Sequence, residues 1–365
     1  MSEFKNLPSG WKVVRLEKVA PLQRGYDLPT DNIKEGLYPV VYSNGILRFH
    51  NEFKAKAPGV ITGRSGTIGK VVYVEEDYWP HNTSLWVTNF YDNNPKFIYY
   101  MYINLNLARF SAGSGVPTLN RNDIHAQTIP LPPLDEQEKI AEILSTWDEA
   151  INLTINLIEN KKRFKKALMQ NLLTAKIRFP EFKDEWREVT IGELFEFKKG
   201  QVLSKEMLDT NGKFECVLYG ELYTTYDEII ENVKSRTNFQ GSIKSKFDDI
   251  LIPSSTTTGS IDIAIAAVIL KNDVLLGGDI NILRKKRNNI YGKFVAYCIT
   301  NIKNKELSSY AQGTTIIHLY TKDFKDMKIK LPNLNEQQKI AEVLTACDDE
   351  INLLNLKLEN LKKQK

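Results

Sequence analysis

Cysteine is scarce. The chain has three in 365 residues, Cys216, Cys298 and Cys347, with no Cys-x-x-Cys pair. This excludes a disulfide framework and a zinc ribbon and fits a reducing compartment, so a cytoplasmic location is expected. The four histidines (His50, His81, His125, His318) stand alone, without HExxH or similar spacing, so no metal site is expected. No apolar run approaches the ~18 residues that a membrane span needs. The opening MSEFKNLPSGW has neither an apolar core nor a small-residue cleavage site, so secretion is not expected. A formal net charge of only +4 excludes a uniformly basic coat, and any nucleic-acid binding must use local basic patches. With 42% apolar and 26% charged residues the composition is that of a globular protein, and the length suggests about two or three units.

Catalytic constellations are also missing. The segment Gly63-Arg-Ser-Gly-Thr-Ile-Gly69-Lys70 has the look of a phosphate-binding loop. That loop needs glycine where Arg64 stands and a hydroxyl after the lysine, where Val71 stands, so nucleotide binding is not expected here. A glycine turn between strands fits better, with phosphate contact open to Lys70. There is no Asn-Pro-Pro-aromatic motif of amino-methyltransferases, no glycine-rich adenosylmethionine loop, and no serine or cysteine with a positioned base. A binding function gains weight accordingly.

What the chain does contain is a duplication at an offset of 200. LPPLDEQEKIAEILSTWDEAINL starts at Leu131 and LPNLNEQQKIAEVLTACDDEINL at Leu331; 18 of 35 positions match between 131–165 and 331–365. Weaker echoes precede each copy. Trp11 opens WKVVRLEKV and Trp186 opens WREVTIGEL, reaching Arg24-Gly25 and Lys199-Gly200 at the same spacing. Lys96-Phe97-Ile98 parallels Lys293-Phe294-Val295, and Gly113-Ser114, Leu119 and Asp123 parallel Gly313-Thr314, Leu319 and Asp323.

The matched block reads as a long helix in each copy. Pro132 and Pro133 block entry from upstream, and Asp135 with Glu138, or Asn335 with Gln338, forms an expected capping box. Apolar residues then follow a heptad seam: Ile140, Leu144, Trp147, Ile151, Thr154 and Ile158, and Ile340, Leu344, Cys347, Ile351, Leu354, Leu358 and Leu361. The first helix is expected to run to about Thr174, and each to measure ~45–60 Å. Residues 135–149 carry six acids and residues 159–178 seven bases, and the second helix repeats this polarity. The arrangement suits each helix dipole. A parallel pair would oppose like charges, so an antiparallel two-helix coiled coil is expected. Its basic ends can serve as solvated, dipole-matched termini or as phosphate contacts; its seam can serve as intrachain core or as a docking face. Within the dissimilar blocks, strands are expected at Gly59–Thr62, Lys70–Val74, Ser84–Val87 and Ile263–Leu270, and helices at Phe97–Asn106 and Lys293–Ile302. The tryptophans are expected in the core.

The doubled LPPLDEQEKIAEILSTWDEAINL block, with KKRFKKALMQNLLTAKIRF after its first copy, the Trp starts, the Gly113 and Gly313 motifs and ITGRSGTIGKV closely resemble type I restriction-modification specificity subunits. The resemblance covers essentially the whole chain. One departure is that the second helix stops at LKKQK with no counterpart of ALMQNLLTAKIRF. The fold implied is α+β: two mixed α/β target recognition domains (1–133 and 177–333) separated by spacer helices (134–176 and 334–365), with a pseudo-twofold internal repeat. The resemblance implies a non-catalytic subunit whose two domains each bind half of a bipartite, asymmetric site in double-stranded DNA. Its helices would dock two methyltransferase subunits, directing adenine methylation, with translocase-nuclease subunits joining for restriction. No cofactor is implied in this chain; adenosylmethionine and ATP belong to the partner subunits. Two readers on such a spacer could meet DNA about one turn apart, roughly 34–36 Å.

Base reading needs donors, acceptors and planar groups on loops. Candidates in the first domain are Tyr42-Ser43-Asn44, Arg48, Arg64-Ser65, His81-Asn82-Thr83 and Asn120-Arg121. In the second they are Tyr219, Tyr223-Thr224-Thr225, Ser254-Ser255-Thr256-Thr257, Asp279 and Asn281, with Arg284-Lys285-Lys286-Arg287 as a phosphate clamp. Each of these can equally be a turn or solvated loop residue, and Asn44-Gly45 and Asn288-Asn289 are ordinary turn formers. Two rival functions stay open: a protein-interaction spacer and a cryptic nuclease, although no paired-carboxylate-plus-lysine motif favours the second.

Overall fold

The computed structural model describes residues 7–112 and 115–365, so the Gly113-Ser114 echo lies outside the described residues. The chain divides into two compact units: residues up to Leu153 with Leu361–Lys365, and Thr154–Asn360.

In the first unit a four-stranded antiparallel sheet runs in the order Leu22–Arg24, Ser84–Val87, Gly59–Gly63, Val71–Val74. A second sheet joins Gly45–His50, Tyr38–Tyr42 and Trp79–Pro80. The helix Pro95–Asn104 starts at Asn94, whose side chain accepts from the Phe97 N–H, with proline at its first position. Leu22, Val60, Leu85, Phe97, Ile98 and Ile124 share the main core.

The second unit repeats this plan with different content. Its five-stranded sheet runs Phe195–Lys199, Ile280–Lys285, Asp249–Pro253, Ala267–Ile269, Ile229–Ile230, and the helix Gly292–Asn301 packs among Phe294, Val295 and Ile299. Three of the expected strands and both short helices are present to within two residues. The expected strand Ile263–Leu270 is a correction: only Ala267–Ile269 is strand. Ile263 and Ala264 are apolar because they are buried in the core, where they form a turn.

In each unit a two-stranded ribbon leads into a long helix. Lys12–Arg15 pairs with Thr128–Leu131, and Arg187–Thr190 with Lys328–Leu331, both antiparallel. The helices span Leu134–Leu172 and Leu334–Gln364. They begin earlier than the capping boxes at Asp135 and Asn335 require. In the second copy Asn333 caps instead, its side-chain oxygen accepting from the Glu336 N–H at 3.0 Å. In the first, the Pro133 carbonyl takes the Glu136 and Gln137 N–H groups. Glu138 and Gln338 therefore lie two residues too far along to close a box.

The Glu-Gln pair after each cap does the joining. Buried Gln137 accepts from the Asn94 N–H (3.0 Å) and donates to Asn93 Oδ1 and the Pro132 carbonyl. Buried Gln337 accepts from the Tyr291 N–H (2.9 Å) and donates to the Asn289 and Pro332 carbonyls. The indole N–H of Trp11 donates to Glu136 at 2.9 Å, and that of Trp186 to Glu336 at 3.2 Å. Trp11 and Trp186 are half-buried, Trp186 packing against the main core of the second unit, while Trp79 is buried in the core as expected.

Lower down, Tyr100 donates to Asp148 at 2.7 Å and Tyr297 to Asp348 at 2.6 Å. Each aspartate also pairs with a lysine of the other long helix: Asp148 with Lys365, Asp348 with Lys165. Of the expected seam, Ile158, Ile340, Leu344 and Ile351 are buried, while Ile140, Leu144, Trp147, Ile151, Cys347, Leu354 and Leu358 are half-buried. Ile340 and Leu344 belong to the main core of the second unit. No described helix is long and apolar enough to cross a membrane.

Replacing Gln337 by Leu strands one N–H and two carbonyls in the interior. The Gln337→Leu chain should lose about 1–3 kcal/mol of stability, measurable as an earlier midpoint in urea unfolding; an unchanged midpoint would refute this role for the carboxamide.

Candidate nucleic-acid interface

In the first unit the structure gathers most of the expected residues. Tyr42 ends its strand with its ring 4.2 Å from that of His81. Burial raises the Tyr42 pKa and lowers that of His81, so both are neutral near pH 7. The Thr83 hydroxyl meets His81 Nδ1 at 3.0 Å and accepts from the Ser43 N–H. Lys70 Nζ donates to the Asn44 carbonyl at 2.6 Å, which pins the glycine turn. Asn82 donates to Asp27, which also holds Arg24 at 3.0 Å. The asparagine bond, with Arg24, keeps the Asp27 pKa below its usual value.

Next to this cluster is a cleft of about 380 Å³ lined by Arg24, Arg64, Leu85, Thr118, Asn120 and Arg121. Backbone bonds hold it together: the Arg64 N–H donates to the Thr83 carbonyl, and the Leu119 N–H to the Arg64 carbonyl. Asn120 caps the short helix that Arg121 begins. Ser65 bridges to Thr118 across the same loop. Arg48 sits apart, exposed on the strand Gly45–His50. Sequence reasoning missed Arg24, Asp27 and Thr118. Arg24 was visible only as a repeat landmark, since nothing local ties it to Arg64, forty residues on.

The second unit presents a larger cleft, about 900 Å³, whose walls include Lys199, Lys205, Tyr219, Tyr223, Thr224 and Asp279. The two tyrosine rings lie 6.4 Å apart. Asp279 has a left-handed backbone (φ 59°) at the turn where it faces Lys199. Thr225 and Thr257 are exposed nearby in sequence. Four expected readers are a correction: Ser254, Ser255, Thr256 and Asn281 are all buried. Ser255–Thr256 is a strand paired with Ile317–His318, and the Asn281 amide is used on the Leu319 carbonyl at 2.9 Å.

The phosphate clamp is corrected as well. Arg284 forks onto buried Asp249 at 2.9 and 2.6 Å, Lys285 holds buried Asp248 at 2.9 Å, and Lys286 donates to the Gly192 carbonyl. Two carboxylates inside the unit need compensation, and these cations provide it. Asp249 accordingly raises the Arg284 pKa. Arg287 remains exposed on the following turn.

A family model described as "Type I restriction modification DNA specificity domain" matches residues 8–161 and again 183–363. The chain is 27% identical over 319 residues to a "Putative type I restriction enzyme MjaX specificity subunit" of Methanocaldococcus jannaschii, covering 82% of this chain and 72% of that one. It is 24% identical over 318 residues to the "Type I restriction enzyme EcoR124I/EcoR124II specificity subunit" of Escherichia coli, covering 82% and 75%. Its fold is similar to the crystal structure of a type I restriction-modification system S subunit from M. genitalium, with a TM-score of 0.66, 18% identity, and coverage of 98% and 95%.

Arg284→Ala leaves Asp249 buried without its counter-charge, held only by the Lys246 N–H at 2.7 Å, and should cost about 3–5 kcal/mol of stability. Arg121→Ala, at an exposed cleft position, should change stability by no more than about 0.5 kcal/mol. Denaturant midpoints of the two variants test the distinction.

Proposed function

We build our proposal on family: the chain belongs to the type I restriction-modification DNA specificity family and is a non-catalytic specificity subunit, and we propose that it reads a bipartite, asymmetric DNA site. Residues 1–133 read one half and residues 177–333 the other. The observation that carries this reading is a shared frame with unlike faces. Both units use the same ribbon, glutamine and Trp–Glu joint, but one presents a cleft walled by three arginines and the other a cleft of tyrosine, threonine, lysine and aspartate. Arginine forks suit guanine edges and phosphates; hydroxyls and a carboxylate suit other edges. The base-contacting set we assign is Arg24, Arg64, Asn120 and Arg121 with the Tyr42–His81 cluster, and Tyr219, Tyr223, Thr224 and Asp279.

The long helices act as the spacer, segments 134–176 and 334–365, paired as an antiparallel coiled coil. Within the second unit, Lys161 meets Glu350 and Lys165 meets Asp348, so numbering falls on one helix as it rises on the other. Exposed Leu157, Phe164, Leu353 and Leu356 on these segments offer apolar area for methyltransferase subunits. Those partners, with translocase-nuclease subunits, supply the adenosylmethionine- and ATP-dependent chemistry of adenine methylation and restriction, in the cytoplasm.

Methylome sequencing of cells expressing this chain with its methyltransferase should reveal a split motif. Exchanging residues 1–133 for those of a relative should alter one half only; a change in both halves, or in neither, would sink the assignment. Arg64→Ala should weaken binding to the complete site by about 1–3 kcal/mol and relax selectivity in that same half.

A further inference from the structure

The two clefts share a backbone frame. In the first unit the Gly25 N–H donates to the Ser84 carbonyl, the Arg64 N–H to the Thr83 carbonyl and the Leu119 N–H to the Arg64 carbonyl. In the second the Gly200 N–H donates to the Ile280 carbonyl, the Ser254 N–H to the Asp279 carbonyl and the Leu319 N–H to the Ser254 carbonyl. Tyr26 bridges to His81 as Gln201 bridges to Gly277, both parallel. The same bonds therefore recur, with Thr83 and Asp279 at one equivalent position and Arg24 and Lys199 just before the equivalent glycines. The residue offset differs from strand to strand, so this equivalence is not visible as a repeat in the sequence.

The equivalent side chains are put to different use. The Thr83 hydroxyl meets His81 Nδ1 at 3.0 Å and accepts from the Ser43 N–H. Gly277 stands where His81 does, so Asp279 has no ring to meet. Its side chain is 47% exposed, with the Ser254 hydroxyl at 3.5 Å and Lys199 Nζ at 3.9 Å. Two other carboxylates of that cleft are engaged: Glu221 accepts from the Leu218 N–H at 2.7 Å and from the Ser235 hydroxyl, and Glu206 from Ser204. The turn does not need the Asp279 carboxylate either. Its backbone is left-handed (φ 59°), which glycine adopts freely, and the bond to the Ser254 N–H uses the main-chain carbonyl.

We infer that Asp279 is a specificity-determining residue of the second half-site and accepts a hydrogen bond from the 4-amino group of a cytosine. The inference rests on the DNA-reading role proposed above. Phosphates repel a carboxylate, so one in a DNA cleft is tolerated only opposite a donor. The donors in the major groove are the amino groups of cytosine and adenine. In adenine the amino group lies beside the N7 acceptor, whose lone pair opposes a carboxylate; in cytosine it lies beside a C–H. Thymine and guanine present carbonyl oxygens there and are rejected. Lys199 supplies the complementary donor for O6 of the paired guanine. Its half-exposed ion pair with Asp279 is weak enough to open onto the base pair.

The test compares the methylome motifs of cells expressing the chain, or its Asp279→Asn variant, with the methyltransferase. Asparagine tolerates a left-handed backbone and pairs with adenine through N6 and N7. The half of the motif that survives exchange of residues 1–133 should contain a C·G pair. Asp279→Asn should turn that pair to A·T, or admit both, and leave the other half unchanged. A surviving half without a C·G pair, or an unchanged motif in the variant, would overturn the inference while the two-reader assignment stands; a motif that is not split would remove both. A binding measurement on the parent complex keeps the test independent of the variant's folding. Replacing that cytosine in a labelled duplex by 2-pyrimidinone, which lacks the amino group, should weaken binding by the chain with its methyltransferase roughly tenfold. Asp279→Ala should bind the two duplexes alike. Equal affinity of the parent for both duplexes, or the same loss in Asp279→Ala, would also overturn the assignment of Asp279.

Discussion

The joint between each reading unit and its long helix rests on one carboxamide. A primary amide carries donors and an acceptor, and buried Gln137 and Gln337 use both kinds. The oxygen takes an N–H at the start of a neighbouring helix, and the nitrogen ties down the proline carbonyl that precedes its own helix. Helix starts leave backbone groups unpaired, and burying them unpaired is costly. Satisfying both starts with one side chain fixes the angle and register at which helix and unit meet. A flanking Trp–Glu bond then locks the ribbon to the same turn.

Charge polarity along the helices extends this order. Acids gather near each start and bases near each end, which matches the helix dipole. The same polarity lets Asp148 take Lys365 and Asp348 take Lys165, with a tyrosine hydroxyl on the second oxygen of each carboxylate. The tyrosine comes from the unit and the lysine from the opposite helix, so one aspartate links three parts of the chain. A frame built from such repeated devices leaves the intervening loops free to differ, and this is where the two clefts diverge.

Much of this architecture was legible beforehand. The 200-residue offset, the extents of both long helices and the two short ones follow from periodicity and breakers, which are local properties. The helix starts were misplaced by two residues because Asp135 and Asn335 look like caps; the choice of Asn333 and the Pro133 carbonyl depends on the ribbon that feeds each helix. The candidate site was only half legible. Loop residues such as Arg64, His81 and Asn120 lie close together, but Ser255 and Thr256 fall on an interior strand with Ser254 buried just before it, and Arg24 joins the first cluster only through folding.

The sequence by itself determined that one scaffold occurs twice, that its helices are amphipathic and oppositely charged at their ends, and that its loops differ, because repetition and period are written in residue order. The tertiary structure alone decided which polar side chains face outward. Arg284 and Arg121 look alike in the sequence, but one neutralises a carboxylate inside the protein and the other lines an open cleft. That difference depends on desolvation by residues distant along the chain, which no local pattern records.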